Sequence, residues 1–349
     1  MGSEGMAVFF VLFFCHVVCK VQETASRSVH NSDRNPELPS DNVRLGVYAV
    51  VDDSIGNKSA TLEDYKFYVA GLVAGVNINL MELSQPIIRL GLLGVYNLTE
   101  EQKKRMSPNQ KIDLNGTWAV IQEIKEEKLR ANESDIIYVF TKNTITSGGV
   151  DVQGTASVRG ACTEDNIAVG NDHLWSYGGF KIFLRNIAAL LGGLSFECDA
   201  NSNNFFDECR KKHMMSHLRK LWPYCYGHST QSPWILSSNI PGDRIEKNDF
   251  CEFKMSRKGA KECTQQNIPM ANNTDQPCEI ECCLPGEGKG GNNRTYVLPV
   301  GSTCRTANYD VYRRSCYKKE CKGRLPLQLN ASPGDSRRYP LNFTWLPTV

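Results

Sequence analysis

The sequence predicts an α/β protein in which a mixed β-sheet with packed helices is followed by a small disulfide-rich domain. Val-rich apolar segments alternate with segments of helical periodicity from residue 43 to about residue 191. Such alternation is typical of sheets that carry helices on both faces. Beyond about residue 240, eight cysteines lie between Cys251 and Cys321 among many Gly, Asn and Pro residues. Disulfides must therefore stabilise that part, because it has little apolar core to bury.

The elements of the first part follow from two periodicities. A Val-rich strand over 43–53 ends at an acidic turn, and a long helix over 61–83 begins with Thr61 as its N-cap and Asp64 three residues later. The same patterns predict strand 86–98, amphipathic helix 118–130, strand 134–143, extended segments at 154–163 and 166–172, and a helix at about 177–191.

The N-terminus predicts export. Residues 6–18 form an apolar run of thirteen residues, which is too short to cross a bilayer but fits the core of a signal peptide, with cleavage after Cys19. We therefore expect a signal peptide over 1–19, a polar leader over 20–42 and a secreted, extracellular chain with no membrane span. The near balance of 40 basic and 38 acidic residues gives no reason to expect a nucleic-acid partner.

Cysteine and Asn usage indicate the same compartment. The twelve cysteines that remain after the signal peptide predict six disulfides. Eight sequons of the form N-x-[ST] predict glycosylation at surface sites: Asn57, Asn97, Asn115, Asn132, Asn272, Asn293, Asn330 and Asn342.

The order of several segments suggests a family. "GVYAVVDD" and a long helix are followed by "IIRLGLLGVYNL", "DIIYVFTKN", "GTASVRGACT", "VGNDHLWSYGGFKIFLRNIAALLGG", "HMMSH" and "WPYCYG". This succession resembles the reprolysin (adamalysin) branch of the metzincin metalloproteases, and in particular the secreted reprolysin-like proteins of tick saliva. The resemblance implies a metzincin-like domain over 43–238, which we expect to be followed by a Cys-rich domain over 239–325 and an irregular tail over 326–349.

The resemblance also implies a zinc helix of the form HExxHxxGxxH, whose ligands are absent here. Two His at i and i+4 would face one metal, the Glu at i+1 would be the general base, and the Gly would let the chain turn toward a third His. If Gly192 is that Gly, the four functional positions hold Arg185, Asn186, Ala189 and Ser195. A frame one residue later, on Gly193, holds Asn186, Ile187, Leu190 and Phe196 and fits zinc no better.

Three further features are implied by the family pattern. A methionine turn follows the zinc helix in the family, and Met215 of "HMMSH" occupies the position of its methionine. The family's disulfides would join Cys162 to Cys225 and Cys198 to Cys209. We expect no cofactor, with zinc only if the chain is an active protease after all.

Other candidate sites are weaker. His213, His217 and His228 could share a metal only if "HMMSH" were helical, and no acidic base is adjacent, so surface histidines are the expectation. His173 precedes the helix in a loop, and the acidic turn "VDDSIGN" could touch calcium, but structural or solvated roles are expected for both. The basic segment 313–324, "RRSCYKKECKGR", is either an anionic-surface contact or a solvated disulfide loop.

We therefore expect a secreted pseudoprotease that binds an extracellular protein, with a host haemostatic or immune target if the tick resemblance holds. An active zinc metalloendopeptidase with ligands foreign to the family and a structural extracellular module are the alternatives.

Overall fold

The structure is a computed structural model of the 349-residue chain. It describes residues 42–56, 59–81, 83, 87–108, 111–112, 114–194, 198, 205–221, 235, 240–243, 245–263, 278–284, 293–304, 314–317 and 320–322. The predicted signal peptide, almost all of the predicted leader and the predicted tail lie outside these ranges. All described residues belong to one compact unit that starts at Leu38.

A five-stranded mixed sheet forms the centre of the fold, in the order β2-β1-β4-β8-β7. Its first four strands run parallel, and β7 is an antiparallel edge strand. The five strands are β1 (Asn42–Val51), β2 (Ile87–Asn97), β4 (Ile136–Thr141), β7 (Gly154–Ala156) and β8 (Ile167–Asn171). A smaller sheet beside it has the order β3-β5-β6 and consists of β3 (Lys111–Ile112), β5 (Thr144–Ser147) and β6 (Val150–Val152).

Both faces of the central sheet are buried, as the continuous apolar strands predict. In β1, Val47 and Ala49 belong to one buried cluster, whereas Tyr48 and Val50 belong to the cluster on the opposite face. All six residues of β4 are buried. The α/β class with a mixed sheet and packed helices is therefore confirmed.

Helices cover both faces. The described helices are α1 (Leu62–Leu80), α2 (Glu100–Met106), α3 (Leu114–Glu127), α4 (Leu129–Asn132), α5 (Phe180–Leu190), α6 (Glu208–Leu221) and α7 (Lys247–Met255). Thr61 caps α1 through a reciprocal capping box with Asp64, as predicted. Near the other end of α1, the buried amide of Asn77 donates to the carbonyl of Leu90 (2.8 Å) and accepts from its N–H (2.7 Å). None of the described helices is both long and apolar enough to cross a membrane.

The C-terminal part is tied together by disulfides. Two small sheets contain β9 (Lys261–Glu262), β10 (Glu279–Cys283) and β11 (Arg294–Val297), and β12 (Thr303–Cys304), β13 (Arg314–Tyr317) and β14 (Glu320–Lys322). The disulfides here are Cys251–Cys282, Cys263–Cys283, Cys278–Cys316 and Cys304–Cys321. The Cys-rich character of this part is confirmed, while the boundary placed at 238/239 stays a prediction.

Three predicted glycosylation sites lie on exposed described residues: Asn97, Asn132 and Asn293. Asn115 belongs to α3. The other four sequons, at Asn57, Asn272, Asn330 and Asn342, lie outside the described residues. Glycosylation itself stays a prediction.

Candidate functional site

Helix α5 is the segment that the metzincin resemblance assigns to zinc, and it ends where the frame on Gly192 requires. Gly192 follows the helix with φ +86°, a left-handed conformation that favours glycine. A Cβ at this position would lie 2.9 Å from the Cβ of His217 on α6. Gly192 therefore has two independent reasons to be glycine, namely the backbone turn and the close approach of α6.

The structure describes three of the four positions of the zinc frame on Gly192, namely Arg185, Asn186 and Ala189. Arg185 is exposed, and Ala189 is 2 % exposed in the core. Asn186 is 3 % exposed, and its Nδ2 donates to the Tyr138 hydroxyl (3.1 Å) and to the Val169 carbonyl (2.9 Å). The fourth frame position, Ser195, lies outside the described residues. Neither a guanidinium nor a methyl group can ligate zinc, so these residues do not fit the metal that the family pattern implies.

The end of α5 is tied to the loop that follows β7. The carbonyl of Ala189 accepts from the N–H of Arg159 (2.9 Å), and the carbonyl of Leu190 accepts from the N–H of Ala161 (3.1 Å). Arg159 and Cys162 both have positive φ, 62° and 61°. The last carbonyls of the helix, which normally lack partners, are therefore satisfied by this strained loop.

The methionine turn predicted at Met215 is wrong in its local structure, because residues 208–221 form α6. The side chain of Asp207 accepts from the backbone N–H of Arg210 (2.9 Å). The backbone carbonyl of Asp207 accepts from the backbone N–H of Lys211 (2.9 Å). Lys, Met, Leu and Arg are good helix formers, so with this N-terminal cap the segment is locally helical. Met214 is fully buried and contacts Gly193 at the end of α5, while Met215 is only partly buried.

The two predicted family disulfides differ in what the structure describes. Cys198 and Cys209 are joined, which ties the chain after α5 to the first turn of α6. Cys162 is disulfide-bonded, but its predicted partner Cys225 lies outside the described residues. The five bridges among described residues involve ten other cysteines. The Cys162–Cys225 pairing stays a prediction.

The histidines of α6 do not form a metal site with their described neighbours. The described residues hold two groups of three side chains close enough to share an ion: Cys198, Cys209 and His213, and Cys278, Cys304 and Cys316. Every cysteine in both groups is in a disulfide, so none offers a thiolate. His217 packs against Gly192, and burial lowers its pKa, helped by the nearby Arg159 cation. His228 lies outside the described residues.

The acidic turn after β1 has hydrogen-bonded carboxylates and not an open calcium site. Asp52 accepts from the N–H of Ser54 (3.0 Å), the Thr141 hydroxyl (2.9 Å) and the Asn143 amide (3.0 Å). Asp53 forms a 2.6 Å ion pair with Lys103. These contacts support the structural interpretation of the turn. The basic segment 313–324 is only partly described, and its surface role stays a prediction.

The N-terminal end of α5 holds a buried charged group that sequence reasoning missed. Asp172 is 1 % exposed, and its carboxylate accepts from the Tyr68 hydroxyl (2.7 Å) and from the N–H groups of His173 (2.8 Å) and Gly179 (2.9 Å). Burial raises the pKa of Asp172 to about 6, although these donors oppose the rise. The "NDH" sequence after an apolar strand was the available signal, because the carboxyl ends of parallel strands commonly hold polar sites.

Lys254 of α7 approaches the same loop from the C-terminal part. Its Nζ donates to the carbonyl of Gly178 (2.7 Å), and burial lowers its pKa to about 8 while Asp172 opposes the fall. Burial also lowers the pKa of the half-buried His173, which favours its neutral form. The two parts of the chain therefore meet around residues 172–179.

Comparisons with known proteins give little further information. No protein-family model matches the chain, and no curated protein matches it. Among solved structures, one described as "Structure of a chaperone-substrate complex" is 13% identical with a TM-score of 0.34, covering 54% of this chain and 36% of that chain. Archaemetzincin from Methanopyrus kandleri is 11% identical with a TM-score of 0.32, covering 50% of this chain and 96% of that chain. Archaemetzincin is therefore a weak structural neighbour, and no function follows from a similarity at this level.

Proposed function

We propose that this chain is an extracellular protein with a reprolysin-like metzincin domain that binds another extracellular protein without cleaving it. The observation that carries the proposal is the environment of Asn186. In the frame on Gly192 this residue occupies the position of the general base, yet its amide is buried and donates to Tyr138 and Val169. An amide cannot accept a proton from a zinc-bound water, and this one is oriented toward the sheet.

The neighbouring frame positions favour the same proposal. A zinc protease needs three protein ligands around a metal with one open position. Arg185 carries a permanent positive charge, which repels a cation, and Ala189 has no donor atom. The absence of both ligands and of the base could not be repaired by one neighbouring side chain.

The disulfides support an extracellular location. Five bridges join ten described cysteines, and such a density is typical of secreted proteins because the cytosol keeps thiols reduced. Secretion through the predicted signal peptide belongs to the proposal.

The open edge of β7 offers a way to bind an extended protein segment. The backbone N–H of Ser157 donates to the carbonyl of Ile167, and the backbone N–H of Asn171 donates to the carbonyl of Gln153. Hydrogen-bonded positions alternate along an antiparallel strand, so Thr155 is the hydrogen-bonded position of β7 between residues 153 and 157. The N–H groups of Gly154 and Ala156 therefore point away from β8. No described strand pairs with that side of β7. A partner strand added here would gain main-chain hydrogen bonds beside α5.

The test combines a binding assay with an activity assay. Full-length chain secreted from cultured cells is immobilised, plasma proteins are passed over it, and retained proteins are identified. We expect at least one retained plasma protein, recovered intact. The variant Ala156→Pro removes an outward N–H without touching the β8 ladder, so it should lose that partner.

Arg185→Ala is the matched control, because it changes an exposed side chain of α5 and leaves β7 unaltered. It should retain the partner. Equal retention by Ala156→Pro would contradict binding at β7, and chelator-sensitive cleavage of the partner by the wild-type chain would favour the active-protease alternative.

A further inference from the structure

A second site lies at the opposite end of α5 from the degenerate zinc frame. A cavity of about 410 Å³ opens where the carboxyl ends of β4 and β8 face α7. Its lining includes Lys142, Asp172, His173, Phe253, Arg257 and Lys258. Crevices outside the carboxyl ends of parallel strands are common ligand sites, and the volume is in the range of small-molecule pockets, roughly 300–1,000 Å³.

The walls of this cavity are fixed to each other. The Nζ of Lys254 on α7 donates to the carbonyl of Gly178, and the Phe253 ring contacts Gly178. The backbone N–H of Glu246 donates to the carbonyl of Trp175 (2.9 Å). The Cys251–Cys282 bridge anchors α7 to β10. A ligand would therefore meet a pre-formed site, which lowers the entropic cost of binding.

One residue of the cavity lining and two residues of the neighbouring loop have positive φ. Trp175 and Tyr177 have φ of 67° and 49° in the loop between β8 and α5, and Ser256, which lines the cavity, has φ of 51° at the end of α7. Such φ values are uncommon in residues other than glycine, and Ser256 has the left-handed conformation that commonly ends a helix. Ser256 ends α7, and the next two residues, Arg257 and Lys258, line the cavity.

The cavity lining carries three cations and two carboxylates, Asp172 and Glu252. Asp249 and Glu252 also oppose the fall that burial causes in the pKa of Lys142. Lys142, Arg257 and Lys258 form no ion pair with any residue that the structure describes. The two carboxylates of the lining already accept hydrogen bonds: Asp172 from the donors named above, and Glu252 from the N–H of Gly259 (2.6 Å). The side chain of Phe253 adds an apolar surface beside the cations.

We propose that this cavity binds a small ligand that carries a sulfate or phosphate ester. The oxyanion is held by Lys142, Arg257 and Lys258, and the carbon skeleton of the ligand lies against Phe253. Charge-assisted hydrogen bonds from Arg and Lys to such oxyanions are strong and geometrically specific. Gln153, which directly precedes β7, also lines the cavity, but none of the three cations belongs to β7.

Calorimetric titration of the full-length chain tests the proposal. The probes are a sulfated heparin disaccharide and glucose 6-phosphate, with the unsulfated disaccharide and glucose as controls. We expect a charged probe to bind with one site per chain and its neutral counterpart to show no binding. Comparison of the two charged probes distinguishes a sulfate ester from a phosphate ester.

The double variant Arg257→Gln/Lys258→Gln should weaken binding of the charged probe at least tenfold, because two of the three cations are lost. The matched control Lys104→Gln/Lys261→Gln removes the same net charge from exposed positions that do not line the cavity, and it should retain the wild-type affinity. Failure of both charged probes to bind, or an equal loss of affinity in the two double variants, would overturn the proposal. Neither result would bear on protein binding at β7.

Discussion

At the scale of single residues, the structure shows what the side chains at the proposed zinc-frame positions do. Asn186 lies on the face of α5 that meets β7 and β8, and its amide joins the helix to Tyr138 and to a strand carbonyl. Arg185, one position earlier, faces solvent. The frame positions come from the family resemblance and stay a prediction, and the sequence could not show that Asn186 lies in the core.

Replacing Asn186 should therefore cost far more stability than replacing Arg185. Asn186→Ala leaves the Val169 carbonyl and the Tyr138 hydroxyl without this donor in a buried environment, so we expect a loss of about 2 kcal/mol. Arg185→Ala should change stability by less than about 0.5 kcal/mol, as is usual for exposed positions. Urea denaturation of both variants measures the difference, and an equal or larger loss for Arg185→Ala would contradict the orientation of α5.

Gly192 gives a second comparison at this scale. Gly192→Ala must place a Cβ in a left-handed conformation and against the Cβ of His217. Gly149→Ala meets only the first cost, because Gly149 has φ +80° but no atom within 4 Å of the added Cβ. We expect Gly149→Ala to cost about 1 kcal/mol and Gly192→Ala clearly more. Thermal unfolding of the two variants measures the difference in stability. Equal melting temperatures would argue against close packing of α6 on the end of α5.

At the scale of elements, segments with clear periodicity were predicted to within a few residues, and α6 was not. The central strands and α1 are apolar and buried, so their pattern reflects the core directly. The sequence of α6 is largely polar, and the family pattern suggested a turn there. Local signals for a helix were present, namely Asp207 at the N-cap and basic residues in the last turn. For this segment, local helix propensity predicts the observed structure better than the family pattern does.

The stability that Asp172 contributes, in the loop between β8 and α5, depends on pH. Folding raises the pKa of Asp172 from 3.8 to about 6, so the folded state binds more protons than the unfolded state between these values. The contribution of Asp172 to stability is therefore greatest below about pH 4 and is lost as the pH rises through about 6. The difference corresponds to about 3 kcal/mol as an upper estimate.

The variant Asp172→Asn removes this titration and retains a side chain of nearly the same shape. We expect the stability of the wild-type chain relative to the variant to fall as the pH rises from 4 to 6.5. Lys254 is protonated throughout that range because its pKa is about 8. Denaturation at a series of pH values measures the relation, and a constant or rising difference would show that Asp172 is not desolvated.

At the scale of the whole molecule, the division into a mixed-sheet part and a disulfide-rich part was predictable, whereas the contacts between them were not. Cysteine spacing shows that bridges exist but does not determine their connectivity. The cavity brings residues 142 and 171–173 together with residues 252–258, which are about 80 or more positions later in the sequence. No local pattern can reveal such a site, because it exists only after the two parts have packed.

The predicted bridge between Cys162 and Cys225 should stabilise the whole molecule more than Cys198–Cys209 does. It would close a loop of about sixty residues, whereas Cys198 and Cys209 are separated by 11. In the chain-entropy model the longer loop adds about 1.6 kcal/mol of stabilisation over the shorter. Peptide mapping under non-reducing conditions checks the pairing, and paired Cys→Ser variants compare the stabilities. A bridge from Cys162 to any cysteine beyond residue 250 would contradict the predicted pairing.

The zinc content of the protein tests the proposal that the chain binds no catalytic metal. Full-length chain is secreted into medium that contains zinc, purified without chelators, and analysed by elemental analysis beside the variant Arg185→His/Ala189→His/Ser195→His. We expect no stoichiometric zinc in the wild-type chain. If Gly192 sets the turn, the folded variant should gain zinc, because three imidazoles complete the ligand set. About one zinc per wild-type chain, together with chelator-sensitive cleavage of casein or fibrinogen, would show instead that the protein is an active zinc protease.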